Sequence, residues 1–72
     1  MDIVDKTAHV FTYHPPTPET LPKYEALRSA ALAFARVIEA NVPSSADRTV
    51  AIRKVREAVM IANAAIACGG VS

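Results

Sequence analysis

Apolar side chains recur along most of the chain at helical intervals. Leu27, Ala31, Phe34 and Ile38 follow one another at spacings of four, three and four, with Tyr24 at the upper end of the same stripe. This rhythm matches the turn of an α-helix and predicts one amphipathic helix over about 22–41. Glu25, Ser29, Arg36 and Glu39 fall on the opposite face. Thr20 is placed to cap this helix, and Pro22 fits its first turn, where a missing N–H costs little. Pro43 ends it and pushes Val42 out of the helical region. A second stripe, Ile52, Val55, Val59, Ala62 and Ile66, predicts a helix over about 45–68. Ser44 is the expected cap, in a run Ser44-Ser45-Ala46-Asp47 that resembles a capping box with Asp in place of Glu. Gly69-Gly70 is the expected stop. A link this short implies that the two helices pack antiparallel as a hairpin.

The second helix changes character halfway. Up to Glu57 its outer face carries Arg53, Lys54, Arg56 and Glu57. From Ala58 to Cys68 the polar positions shrink to Asn63 and the terminal thiol, while Met60, Ile61 and Ile66 point to different sides. A helix that is apolar all round must be covered all round. One partner helix cannot do that, so this half is expected in a core between subunits. Residues 1–22 read differently. Val10-Phe11-Thr12-Tyr13 is strand-like but has no partner strand in the sequence, and Pro15, Pro16, Pro18 and Pro22 break any regular element. The expected division is therefore a proline-rich arm over 1–22 and a helical hairpin over 23–72, an all-α chain that assembles into a compact homo-oligomer.

Length sharpens the case for assembly. A chain of 72 residues makes one domain and buries only ~60% of its unfolded surface, so a lone monomer is marginal and needs a staple. Cys68 is the one cysteine, which excludes an intrachain disulfide and suits a reducing compartment. Oligomerisation is the staple that remains. Met1 to Thr7 is charged and lacks a long apolar core, so no signal peptide is expected. Ala58 to Ser72 is too short and glycine-terminated to span a bilayer, so no membrane partner is expected. Residues 1–22 carry three acids against one lysine, −2, and residues 23–72 carry seven Lys/Arg against four acids, +3, giving the net +1. That asymmetry could favour a small anion but falls short of the basic stripe that duplex DNA needs.

Catalytic signatures are absent: there is no glycine-rich phosphate loop, HExxH or CxxC. His9 and His14 have no cysteine or acid cluster near them in sequence, so no metal and no cofactor are expected. Cys68 sits at the negative end of a helix, which opposes thiolate formation and argues against a catalytic cysteine. What remains suits binding. Phe11, Tyr13 and His14 lie close together on a stiffened arm, and Arg28 lies on the first long helix one turn after Tyr24. Aromatic faces stack on nucleobases at ~1–3 kcal/mol each, and a guanidinium grips a phosphate through two parallel hydrogen bonds. The same aromatics could instead tuck the arm against the helices.

These residues also form a familiar series. Phe11-Thr12-Tyr13-His14-Pro15-Pro16, then Tyr24-Glu25-Ala26-Leu27-Arg28, then the run from Arg56 to Ala67 resemble the phage anti-CBASS cyclic-nucleotide sponge family. The hairpin is similar to that of the phage anti-Thoeris sponges. The resemblance covers about residues 10–68. It implies a small helical hairpin that assembles into a compact homohexamer in the host cytoplasm. Such proteins sequester cyclic oligonucleotide messengers, cyclic dinucleotides such as cyclic GMP-AMP, without cleaving them, so that the CBASS effector is starved of its activator. The resemblance places Tyr13 where the family stacks an arm aromatic on a base, and Arg28 where it uses a basic residue. It gives His14, Pro15 and Pro16 a shaping role beside Phe11. A second kind of family site takes cyclic trinucleotides near the ends of the last helix, where Asn63 could contribute. The chain departs from the family pattern at Ile61, where Trp is common, and at Cys68, where Arg is common. The second departure implies that cyclic trinucleotides bind weakly or not at all.

Two readings of another class stand beside this one. The first is a DNA-binding helical regulator with Arg48, Arg53, Lys54 and Arg56 on phosphates. The second is a structural oligomerisation module with no ligand.

Overall fold

The structure, a computed structural model, describes residues 6–71. Met1–Asp5, the start of the expected arm, and Ser72 lie outside the described residues. Three helices run in the order α1 (Lys6–Val10), α2 (Leu21–Asn41) and α3 (Ala46–Ala67). No strand occurs among the described residues.

The hairpin is built as the apolar stripes dictate. α2 begins one residue before Pro22, which sits in the first turn. Thr20 occupies the N-cap position, but its side chain makes no capping bond and its backbone is already helical, φ −87° and ψ −28°. Its hydroxyl is engaged instead in the preceding turn, where it accepts from Thr17 N–H at 2.8 Å. At the other end Asn41 Nδ2 donates to the Val37 carbonyl at 2.7 Å. Val42 then turns extended, φ −107° and ψ 131°, as the residue before a proline must. The cap of α3 falls one residue later than Ser44. Ser45 accepts the Arg48 N–H on Oγ at 3.2 Å, and its own hydroxyl donates to the Pro43 carbonyl at 2.9 Å. Pro43 thus fixes which serine reaches the helix. Asp47 lies in the first turn, where the helix dipole favours an acid.

α3 closes with a Schellman motif. Gly70 N–H reaches the Ala65 carbonyl at 2.8 Å and Gly69 N–H reaches that of Ile66 at 3.1 Å. Both glycines have positive φ, +62° and +84°, a conformation that costs an L-residue roughly 1–2 kcal/mol.

α1 corrects the strand-like reading of Val10–Tyr13. Val10 ends a helical turn, continued by Phe11 N–H to the Thr7 carbonyl at 3.1 Å, and Tyr13–Pro16 runs on without regular structure.

A hairpin of two helices is one layer thick, and it cannot enclose a core. Among the described residues only Ile38 and Cys68 are buried. The radius of gyration is 15.5 Å and the extents are 49 × 26 × 14 Å, against ~11 Å for a compact domain of this length. No helix among the described residues is long and apolar enough to cross a membrane.

Candidate functional site

The seam between α2 and α3 runs through Ala31, Val55 and Val59, and an open groove lies on either side of it. The larger, about 650 Å³, is lined by Leu27, Ala30, Phe34 and Ile38 from α2 and by Ala51, Lys54, Ala58 and Ala62 from α3. The smaller, about 290 Å³, lies between Leu32 and Ala35 on one helix and Ile52 and Met60 on the other, with Arg28 and Arg56 along its edges. Large apolar side chains stay in water: Phe34 is 57% exposed, Leu32 58%, Met60 60% and Ile61 70%. The all-round apolar half of α3 is therefore only partly covered within one chain.

That Arg28 and Arg56 line one groove depends on the register of the hairpin. Arg28 lies one turn before Leu32 and Arg56 one turn before Met60, so the antiparallel fold brings both arginines to the same groove. Lys54, by contrast, lines the other groove and pairs with Glu57 at 3.2 Å. Lys54 and Arg56, both candidates for phosphate contacts on duplex DNA, therefore line different grooves. The exposed pairs Lys54–Glu57 and Arg36–Glu39 contribute little to stability, because solvent screens both.

The arm is held at the far end of the hairpin. His9 Nε2–H donates to the Cys68 carbonyl at 2.9 Å, which also accepts the Val71 N–H at 3.2 Å. His14 Nε2–H donates to the His9 carbonyl at 2.7 Å, and the two rings pack 4.4 Å apart, tilted by 53°. Since carbonyls only accept, these bonds place a proton on Nε2 of both rings. The histidines bracket Phe11 and Tyr13, which point into water at 85% and 79% exposure. In a single chain, then, the arm aromatics are not tucked against the helices. Pro15 and Pro16 are exposed in the irregular stretch that follows. Arg28 lies exposed on α2, in the arginine-edged groove. Asn63 is half-buried on α3, and its amide oxygen is enclosed without a hydrogen-bond partner.

Arg56 joins Arg28 as a candidate for the nucleotide site only through the fold, and no cysteine lies near His9 or His14 in sequence. The fold supplies one. Cys68 Sγ and a nitrogen of each imidazole lie within 4.8 Å of one another. No local pattern signals this contact, which joins residues 59 apart in the chain.

The geometry defines a class: a small all-helical hairpin with open apolar faces and an arm that presents aromatics to solvent. A family model described as Acb2/Tad1, hairpin domain, matches residues 4–67. The chain belongs to this family, the anti-CBASS/anti-Thoeris sponge family. It is a family of binding sponges and not of enzymes. Neither the curated proteins nor the solved structures compared with the chain give a match.

Proposed function

We propose that this protein is an immune-evasion sponge of the host cytoplasm. In this reading it binds cyclic dinucleotides such as cyclic GMP-AMP, does not cleave them, and so withholds them from the CBASS effector. The observation that carries the proposal is the pairing of exposed aromatics on a tethered arm with two arginines along an apolar groove. A cyclic dinucleotide presents two flat bases and two phosphates. Tyr13 is the stacking residue, with Phe11 beside it, and Arg28 is the phosphate contact. Arg56 is added as a second phosphate contact, since it shares Arg28's groove. His14, Pro15 and Pro16 shape the arm.

The same reading makes the working unit a homo-oligomer, a hexamer by family resemblance. A layer with two uncovered apolar grooves is stable only when another copy covers them. Each ligand site is then shared between subunits, which would bring the arm of one chain to the arginine groove of another. Cyclic trinucleotides are expected to bind weakly, because Cys68 offers no charge where relatives carry Arg; Asn63 alone would remain at that second site.

Calorimetry against a panel of cyclic di- and trinucleotides tests the reading. Saturable binding of a cyclic dinucleotide supports it, and a panel with no binder removes it in favour of a ligand-free assembly module.

A further inference from the structure

We propose that His9, His14 and Cys68 form a zinc site that locks the arm to the end of the hairpin. This goes beyond the sponge reading and does not depend on it.

The donor set comes first. One nitrogen of each imidazole and the Cys68 Sγ already lie within 4.8 Å of one another. Around a tetrahedral zinc ion, with bonds of ~2.0–2.1 Å to nitrogen and ~2.3 Å to sulfur, neighbouring ligand atoms stand roughly 3.3–3.8 Å apart. The gap is on the order of 1 Å, which small shifts of the three side chains would close.

The surroundings match a metal site in a second way. A zinc-bound histidine typically donates its other ring N–H to a carbonyl or carboxylate, which fixes the tautomer and aims the lone pair. Both rings do this here, His9 to the Cys68 carbonyl and His14 to the His9 carbonyl. With those bonds kept, Nδ1 is the ring nitrogen left on each histidine for a metal.

Electrostatics point the same way. The site sits at the C-terminus of α3, where the helix dipole is negative and a cation is favoured. A bound dication deprotonates a coordinating thiol. Binding releases the Cys68 proton to solvent as the zinc–sulfur bond forms. Two imidazoles and a thiolate, with no carboxylate in the set, select zinc over magnesium or calcium. Three protein ligands leave the fourth tetrahedral position to water. The metal would close the loop from His9 to His14 and hold Phe11 and Tyr13 in one orientation.

The test uses the full-length protein, reduced and stripped with a chelator, with cobalt(II) as a coloured probe for zinc. The expected result is a thiolate-to-cobalt charge-transfer band with tetrahedral visible bands, saturating at one ion per chain and bleached by zinc. Magnesium should leave the bands unchanged. Cys68→Ser should abolish the charge-transfer band. His9→Gln and His14→Gln should each weaken zinc at least tenfold, and Gln can preserve the N–H donation to the carbonyl. Circular dichroism confirms that each variant keeps its helices. A helical wild type with no charge-transfer band overturns the proposal. So does a band unaffected by both histidine substitutions, or one that saturates at half an ion per chain, which would mean two thiolates from two chains.

Discussion

Truncating Phe34 probes the larger groove directly. Phe34 lies on the α2 stripe and is 57% exposed in the single chain. Full burial of a phenylalanine removes ~200 Å² from water, so covering the open part in an assembly would bury about 115 Å², or about 3 kcal/mol at ~25 cal/mol/Å². Alanine keeps a Cβ in the groove, so Phe34→Ala forfeits most of this, ~2–2.5 kcal/mol per copy. In a twofold contact both copies count, and the loss of ~4–5 kcal/mol corresponds to a ~10³-fold weaker association. The part already covered by α3, roughly 85 Å², costs the hairpin itself about 2 kcal/mol, partly offset by ~0.5 kcal/mol from alanine's better helix propensity. Sedimentation velocity over a concentration series should show the variant dissociating where wild type stays assembled, with helicity checked at the same concentrations. Ala62→Arg, which places an unpaired charge in the same groove, should disrupt assembly more severely. If either variant remains helical and sediments as wild type does, the groove is not a subunit contact.

Three further outcomes are expected. Tyr13→Ala and Arg28→Ala should each weaken cyclic dinucleotide binding at least tenfold by calorimetry, the ~1.4 kcal/mol of one lost stack or charged contact, without changing oligomer size. Cys68→Arg should gain binding to cyclic tri-AMP, because three copies on a threefold axis would each supply a forked phosphate contact of ~1.5–3 kcal/mol; tight binding by wild type would overturn that assignment. Ser45→Ala should destabilise the fold by ~1 kcal/mol in thermal unfolding, since it removes the acceptor of the Arg48 N–H, whereas Ser44→Ala should have little effect.

The hairpin was legible because its signals are local and repeated. The stripes through Leu27, Phe34 and Ile38, and through Val55, Val59 and Ile66, each run for several turns. The helices they predict, 22–41 and 45–68, end within a residue of α2 and α3. The choice of Ser45 over Ser44 was less legible, because it turns on the path of the chain after Pro43. α1 was missed for a different reason. Five residues hold too little of a helical period to stand out, and the helix is held by His9 reaching the Cys68 carbonyl, a contact between opposite ends of the chain. The aromatic and arginine candidates could be picked out by residue type. Which of them share a groove could not, because Arg28 and Arg56 line one groove only through the antiparallel register. The exposure of Met60, Ile61 and Phe34 follows from the same pattern that suggested assembly. One layer leaves both faces open, and a sequence apolar on every side records that a further surface must cover it.

The central claim is capture without chemistry. The direct measurement is to incubate the purified protein with a slight molar excess of cyclic GMP-AMP, separate the protein-bound fraction, denature it and chromatograph the released nucleotide. The expected result is stoichiometric release of intact cyclic ligand that again activates the effector. Release of a linearised nucleotide, or a protein fraction that retains no nucleotide from the panel, would contradict it.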